Sequence, residues 1–263
     1  MRKKIIAAVG LVALVVVSVA AAAQVNTYSV SASTNPTKAG SKKKPVPVSL
    51  NIKYTVGEAS GQRPSAIKHY KFIFAGIVAH GEAFPKCTAS QINAKTPPSD
   101  SGCPRGSKVG SGTVDNLAGP STDPATKSSQ LPCRLSVTAY SAGAGAQALF
   151  IKGGPPDCPL SVARAIPTVL TKSGGSFGDE FDVPSDLLHP APGIDNSVVS
   201  VDTTFPKALS SPKKKGRKGK KAKKVGYLES QGGCTGGKRK VSVEFTSEAG
   251  QVATATTSIP CKK

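Results

Sequence analysis

Six cysteines constrain this 263-residue chain more than any other feature: Cys87, Cys103, Cys133, Cys158, Cys234 and Cys261. What they can do depends on the compartment, and the first segment bears on that. Met1-Arg2-Lys3-Lys4 is basic, and Ile5 to Ala23 is apolar apart from Gly10 and Ser18. The stretch ends in Ala20 to Ala23. Signal peptidase accepts small residues two apart, so a signal peptide over 1–23, cleaved near Ala23, is expected. The alternative is an uncleaved anchor, because the apolar stretch is nearly long enough to span a bilayer core of about 30 Å. The absence of a basic stop-transfer flank favours cleavage. No cysteine follows the apolar stretch directly, so nothing supports a lipid anchor.

An even cysteine count behind an export signal reads as three disulfides in a secreted or envelope-associated protein. Six cysteines can pair in many ways, and sequence alone does not choose among them. Each successive pair brackets one compact stretch containing Gly, Pro and Ser, which favours Cys87–Cys103, Cys133–Cys158 and Cys234–Cys261. Loops of this size are stabilised by roughly 3 kcal/mol per bridge on the chain-entropy model. Zinc is the competing use. No C-x-x-C occurs and no histidine lies at ligand spacing from a cysteine pair.

The rest of the chain alternates. Val48, Leu50, Ile52, Tyr54 and Val56 share one parity, which puts them on one face of a strand. Tyr70, Phe72 and Phe74 do the same within Ile67 to Phe74. Tyr28 to Ala32, Leu135 to Tyr140, Ala148 to Ile151 and Val198 to Phe205 are further strands. Lys240 to Thr246 and Gln251 to Ile259 flank a turn at 247–250. No helical stripe occurs outside the leader. Gly (27) and Pro (21) are plentiful, yet too few for a disordered chain, and 38 % hydrophobic residues suffice for a core. A polytopic membrane protein, a coiled coil and a collagen are excluded. The expected fold is all-β: an immunoglobulin-like or related antiparallel β-sandwich with long loops and three disulfides. Residues 24–47 form a polar N-terminal segment and 48–263 the sandwich region, as one sandwich or two subdomains.

Two stretches carry a resemblance. Phe84-Pro85-Lys86-Cys87 is followed by Cys103-Pro104-Arg105-Gly106-Ser107-Lys108-Val109-Gly110-Ser111-Gly112. Gly226-Tyr227-Leu228-Glu229-Ser230 precedes Cys234, and Pro260-Cys261 closes the final hairpin. This pattern resembles a group of uncharacterised secreted, cysteine-paired, β-rich proteins of actinobacteria, loosely over Arg63 to Cys261. The resemblance implies export, paired cysteines and a β-rich fold. It implies no catalytic residues.

One segment departs from that pattern. Lys213, Lys214, Lys215, Arg217, Lys218, Lys220, Lys221, Lys223 and Lys224 are interrupted only by Gly216, Gly219 and Ala222. They are nine of the chain's 35 basic residues, against 15 acidic ones, with formal charge +20. Like charges at this density repel, so an extended, solvated loop over 207–224 is expected. Its bland use is solubility. Its sharper use is capture of a polyanion by lysines acting as point charges. Teichoic acid, anionic lipid, acidic polysaccharide and extracellular DNA are the candidate partners. Sequence-specific nucleic acid is not, because no aromatic is interleaved to stack bases. Export conflicts with nuclear localisation.

Catalytic patterns are weak. Gly174-Gly175-Ser176-Phe177-Gly178 matches G-x-S-x-G, but a nucleophile elbow needs a helix after the serine. Asp179-Glu180-Phe181-Asp182-Val183-Pro184 is a poor one. Asp182 or Asp186 with His189 would complete a triad crowded into one short stretch, so a flexible Gly/Ser loop is the better reading. Gly232-Gly233-Cys234-Thr235-Gly236-Gly237-Lys238 approaches a phosphate loop, with Arg239 where Ser or Thr would ligate magnesium. His80-Gly81-Glu82 lacks the P-C-x-x-C that a zinc deaminase requires. Asp179, Glu180, Asp182, Asp186 and Asp195 are numerous enough for calcium, though their spacing suits a solvated acidic loop better. No catalytic residue, metal or cofactor is expected. The expected function is an exported structural or adhesion-type protein, with polyanion binding as the alternative and a Ser176 hydrolase as a contrast.

Overall fold

A computed structural model of the chain describes residues 24–122, 130–173, 175–210 and 224–262. Residues 1–23, expected to be a signal peptide, and 211–223 of the expected basic loop lie outside it. The strands in chain order are β1 (Asn26–Asn35), β2 (Val46–Pro47), β3 (Ser49–Glu58), β4 (Ile67–Ala75), β5 (Ile77–Ala79) and β6 (Lys108–Pro120). Then come β7 (Leu131–Ser141), β8 (Ala146–Gly153), β9 (Val162–Ser173), β10 (Ser176–Asp182), β11 (Ile194–Phe205) and β12 (Leu209–Ser210). The last are β13 (Val225–Gly226), β14 (Leu228–Ser230), β15 (Lys238–Ser247) and β16 (Val252–Pro260). Two short helices, α1 (Ala89–Asn93) and α2 (Ser185–Leu188), sit in connections.

The fold is all-β and antiparallel. One 11-stranded sheet runs β1-β3-β11-β6-β7-β8-β9-β10-β4-β15-β16, and every ladder in it is antiparallel. It wraps round until β1 lies against β16, so the two layers of the sandwich are one nearly closed sheet. Neighbours alternate in direction and their number is odd. The first and last strands therefore run the same way, and the antiparallel ladder does not continue across the seam. Side chains and chain ends close it instead. The Asn26 amide donates to Gln251 Oε1 at 2.8 Å, and Gln251 Nε2 donates to the Asn26 carbonyl at 3.0 Å. Beyond the other end, a parallel bridge joins Lys38 to Lys262. Between these points Tyr28 stacks on Phe245 with centroids 4.5 Å apart.

Alternation builds the core. Leu50, Ile52, Tyr54 and Val56 of β3, Tyr70, Phe72 and Phe74 of β4, and Val241, Val243 and Phe245 of β15 are all buried in one cluster. Burial of each such side chain contributes about 1.5–3 kcal/mol. Strands β7 to β9 are buried on both faces. Leu135, Val137 and Ile151 line the interior, while Tyr140, Ala148, Phe150 and Ala165 pack under α1 outside the sheet. Helix α1 starts with a capping box of Thr88 and Gln91. It ends on Asn93, whose Nδ2 donates to the Ala165 carbonyl (2.8 Å) and whose Oδ1 accepts from the Ala165 amide (2.9 Å). The β9–β10 ladder runs only from Ser173 back to Val169, so Asn93 satisfies backbone that β10 no longer covers.

The three disulfides are Cys87–Cys103, Cys133–Cys158 and Cys234–Cys261, with sequence separations of 16, 25 and 27. The first staples the α1 excursion and the second ties β7 to the β8–β9 connection. The third ties the loop before β15 to the end of β16. Such bridges suit an oxidising environment.

Candidate functional site

Two regions stand apart from simple core and surface. The first is basic. Strands β12 and β13 pair antiparallel, Leu209 with Gly226 and Ser210 with Val225. They flank residues 211–223, which lie outside the described residues. The pair is fixed to the body: the His80 amide donates to the Tyr227 carbonyl at 2.8 Å, and Tyr227 itself is buried. Of the sequence-derived polyanion residues, only Lys224 is described, and it is exposed, as is Lys207. Lys213, Lys214, Lys215, Arg217, Lys218, Lys220, Lys221 and Lys223 lie outside the described residues. A second basic segment leads into the neighbouring three-stranded sheet, β2-β14-β5. Lys42, Lys43 and Lys44 occupy an exposed turn just before β2, which pairs with β14. Gly226 approaches Pro47 so closely that a Cβ would sit 2.7 Å from the proline Cβ. Among the described residues, Lys42, Lys43, Lys44, Lys207 and Lys224 make no ion pair.

The second region is the barrel interior. A cavity of about 130 Å³ lies between the inner faces, walled by side chains such as Leu135, Val137, Ile151, Ile166, Phe177 and Val201. Asn116, Asn196 and Thr203 also line it, and one connected chain of polar groups enters it. Tyr227 Oη donates to Gln147 Oε1 at 2.8 Å, and Gln147 Nε2 donates to Asp179 Oδ2 at 3.2 Å. Asp179 Oδ1 is buried without a hydrogen-bond partner. Burial pushes the Asp179 carboxyl up to about 7, and the nearby Thr168 hydroxyl and Glu180 amide offset only part of that. Burial also raises Tyr227, and the charges of Asp179 and Glu82 raise it further.

The acidic stretch therefore departs from expectation. It is not a solvated loop, and of its five acids only Glu180 and Asp182 share a partner. Ser176 to Asp182 form β10, which turns Asp179 inward between Phe177 and Phe181. Glu180 lies 3.4 Å from His69 Nε2 and Asp182 2.8 Å from His69 Nδ1. Asp186 faces Arg164 at 3.4 Å, while Asp195 pairs with the buried Arg63 at 3.1 Å. Among the described residues, no His, Cys, Asp or Glu group is arranged to hold a metal ion.

The remaining motifs take structural roles. Ser176 opens β10 directly after Gly175, whose φ is +82°, and a strand follows rather than the helix of an elbow. The expected Gly/Ser loop is thus a hairpin turn. His189 is held elsewhere: Nδ1 lies 3.0 Å from Asp195 Oδ1 and Nε2 2.9 Å from Glu248 Oε1. In the glycine-rich 232–237 loop, a Cβ on Gly233 would lie 2.5 Å from the Gly76 backbone. That glycine serves close approach of two chains, and strand β15 follows. Arg239 is buried beneath the loop, donating to the Gly232 carbonyl at 3.3 Å and contacting Cys261 Sγ at 3.1 Å. His80 lies between Glu82 (3.0 Å) and Glu229 (3.3 Å).

The sequence reading passed over Gln147, Asp179 and Tyr227 as a unit. A signal existed: Phe177-x-Asp179-x-Phe181 places an acid in phase with two aromatics, and Gln147 interrupts an apolar run. Comparison with family models, with curated proteins and with solved structures finds no match to this chain.

Proposed function

We propose that this chain is an exported, non-catalytic attachment protein of the cell envelope or extracellular space, holding anionic polymers or anionic lipid surfaces by electrostatic contact. The observation that carries this reading is the adjacency of two short sheets, β12-β13 and β2-β14-β5. The Lys213–Lys224 run and the Lys42–Lys44 turn both lead into strands that pair or pack together beside the barrel. Among the described residues, exposed lysines at 42–44, 207 and 224 that make no ion pair favour a multivalent anion. Contacts of this kind release condensed counterions and tolerate any sequence or sugar. The three disulfides and the basic, apolar leader support export. Kinship with the secreted actinobacterial group belongs to the same proposal.

The test is binding of the mature protein, from Gln24 onward, to teichoic acid, phosphatidylglycerol vesicles and duplex DNA across a salt series. A deletion of 213–224 and a Lys42/Lys43/Lys44→Ser variant run in parallel. If six or more phosphates are engaged, affinity falls about a thousandfold or more between roughly 50 and 200 mM salt. Both variants weaken binding and flatten the salt slope. Binding that ignores salt, or that survives both changes together, overturns the reading.

A further inference from the structure

We propose that the barrel interior is a binding site for a small uncharged alcohol or phenol about one ring in size, held through its hydroxyl on Asp179. This stands apart from the electrostatic attachment above. Volume sets the size. A cavity of about 130 Å³ is close to the roughly 150 Å³ apolar cavity that takes up benzene in another protein. The walls set the body of the ligand: aliphatic and aromatic side chains favour a hydrocarbon skeleton.

Asp179 sets the functional group. A carboxylate inside an apolar cavity is costly unless it is paired. Its hydrogen-bond chain runs one way. Tyr227 donates to Gln147 and Gln147 donates to Asp179 Oδ2, so Oδ1 is the open acceptor of this chain, on a residue lining the cavity and with the Thr168 hydroxyl nearby. A hydrocarbon would leave that oxygen with no partner beyond the nearby Thr168 hydroxyl. A carboxylate ligand would be repelled by it. An ammonium would bring a second charge out of water, with a desolvation cost that one contact rarely offsets. A hydroxyl donates to the ionised carboxylate and accepts from the protonated acid, so it suits Asp179 in either state. A charge-assisted bond is about twice as strong as a neutral one, and this one would form away from water.

The experiment titrates the mature protein with phenol, toluene, benzylamine and benzoate, read by calorimetry and by shifts of the Gln147 and Tyr227 resonances. Wild type is expected to bind phenol at least about tenfold more tightly than toluene, with shifts at both residues. Asp179→Leu is expected to abolish that preference while keeping toluene binding. Asp179→Asn retains an acceptor and the shape, so it should fold and show a reduced preference. It serves as the readout if the leucine variant fails to fold. Four results overturn the proposal: no binding of either phenol or toluene; equal affinities in wild type; a phenol preference untouched in the folded Asp179 variants; or tighter binding of benzylamine or benzoate than of phenol.

Discussion

Asp179 has a cost that can be measured. Its carboxyl titrates near 3.8 in an unstructured chain and near 7 in the fold. Between those values the folded protein keeps a proton that the unfolded chain has released. Stability therefore falls as pH rises through this window, and the full penalty of about 4 kcal/mol applies above pH 7. His189 acts in the same direction. Its contacts with Asp195 and then Glu248 raise it above its usual 6.5. What it contributes is complete below 6.5 and lost as pH climbs through the raised value. Solvent screening at this half-exposed site keeps that contribution below about 1 kcal/mol. Urea unfolding at pH 4 and pH 8 tests both. Asp179→Asn is expected to stabilise at pH 8 by up to about 4 kcal/mol and to do little at pH 4. His189→Ala should weaken the protein slightly at pH 5 and hardly at pH 8. An Asp179→Asn effect equal at both pH values would contradict the burial argument. At this scale the sequence was half legible. The alternation that turns Asp179 inward is written in Phe177 and Phe181, but its partners come from Gln147 and Tyr227, far away along the chain.

The legible elements are those with one wet face. β3, β4 and β15 alternate because water takes one side and the core the other. Three long strands escape that pattern for separate reasons. β6 is rich in glycine, and a Cβ on Gly112 would sit 2.0 Å from the Asp202 carbonyl oxygen, so close backbone approach replaces apolar side chains there. β9 contains Pro167, which normally argues against a strand. It is accommodated because β10 has already left the ladder at Val169. β10 carries acids that read as loop. Helix α1 is too short to show a period and is set by tertiary contact. Asn93→Ala therefore probes how α1 is held. It removes both bonds to Ala165 and leaves a carbonyl and an amide of β9 uncovered, at a cost of about 1–3 kcal/mol. Hydrogen exchange at the Ala165 amide should accelerate while β15 amides stay protected. Unchanged exchange at Ala165 would show that another group covers that edge.

Closure of the whole sheet is not written in any local run of residues. It follows from strand order and number, which only long-range pairing decides. The odd count leaves β1 and β16 parallel neighbours without a shared antiparallel ladder, joined by Gln251 and Asn26, by Tyr28 on Phe245, and by the Lys38–Lys262 bridge. This geometry has a mechanical consequence. The start of β1 lies beside the start of β16, and the end of the chain lies beyond their far ends. Tension applied through the two termini pulls these strands lengthwise in opposite directions. Contacts along a sliding pair bear load together, whereas those of a peeling pair fail one at a time. The barrel is thus built to resist a pull along its chain ends. Single-molecule extension from Gln24 and Lys262 should show one high-force rupture, and Gln251→Ala should lower that force without changing the number of events.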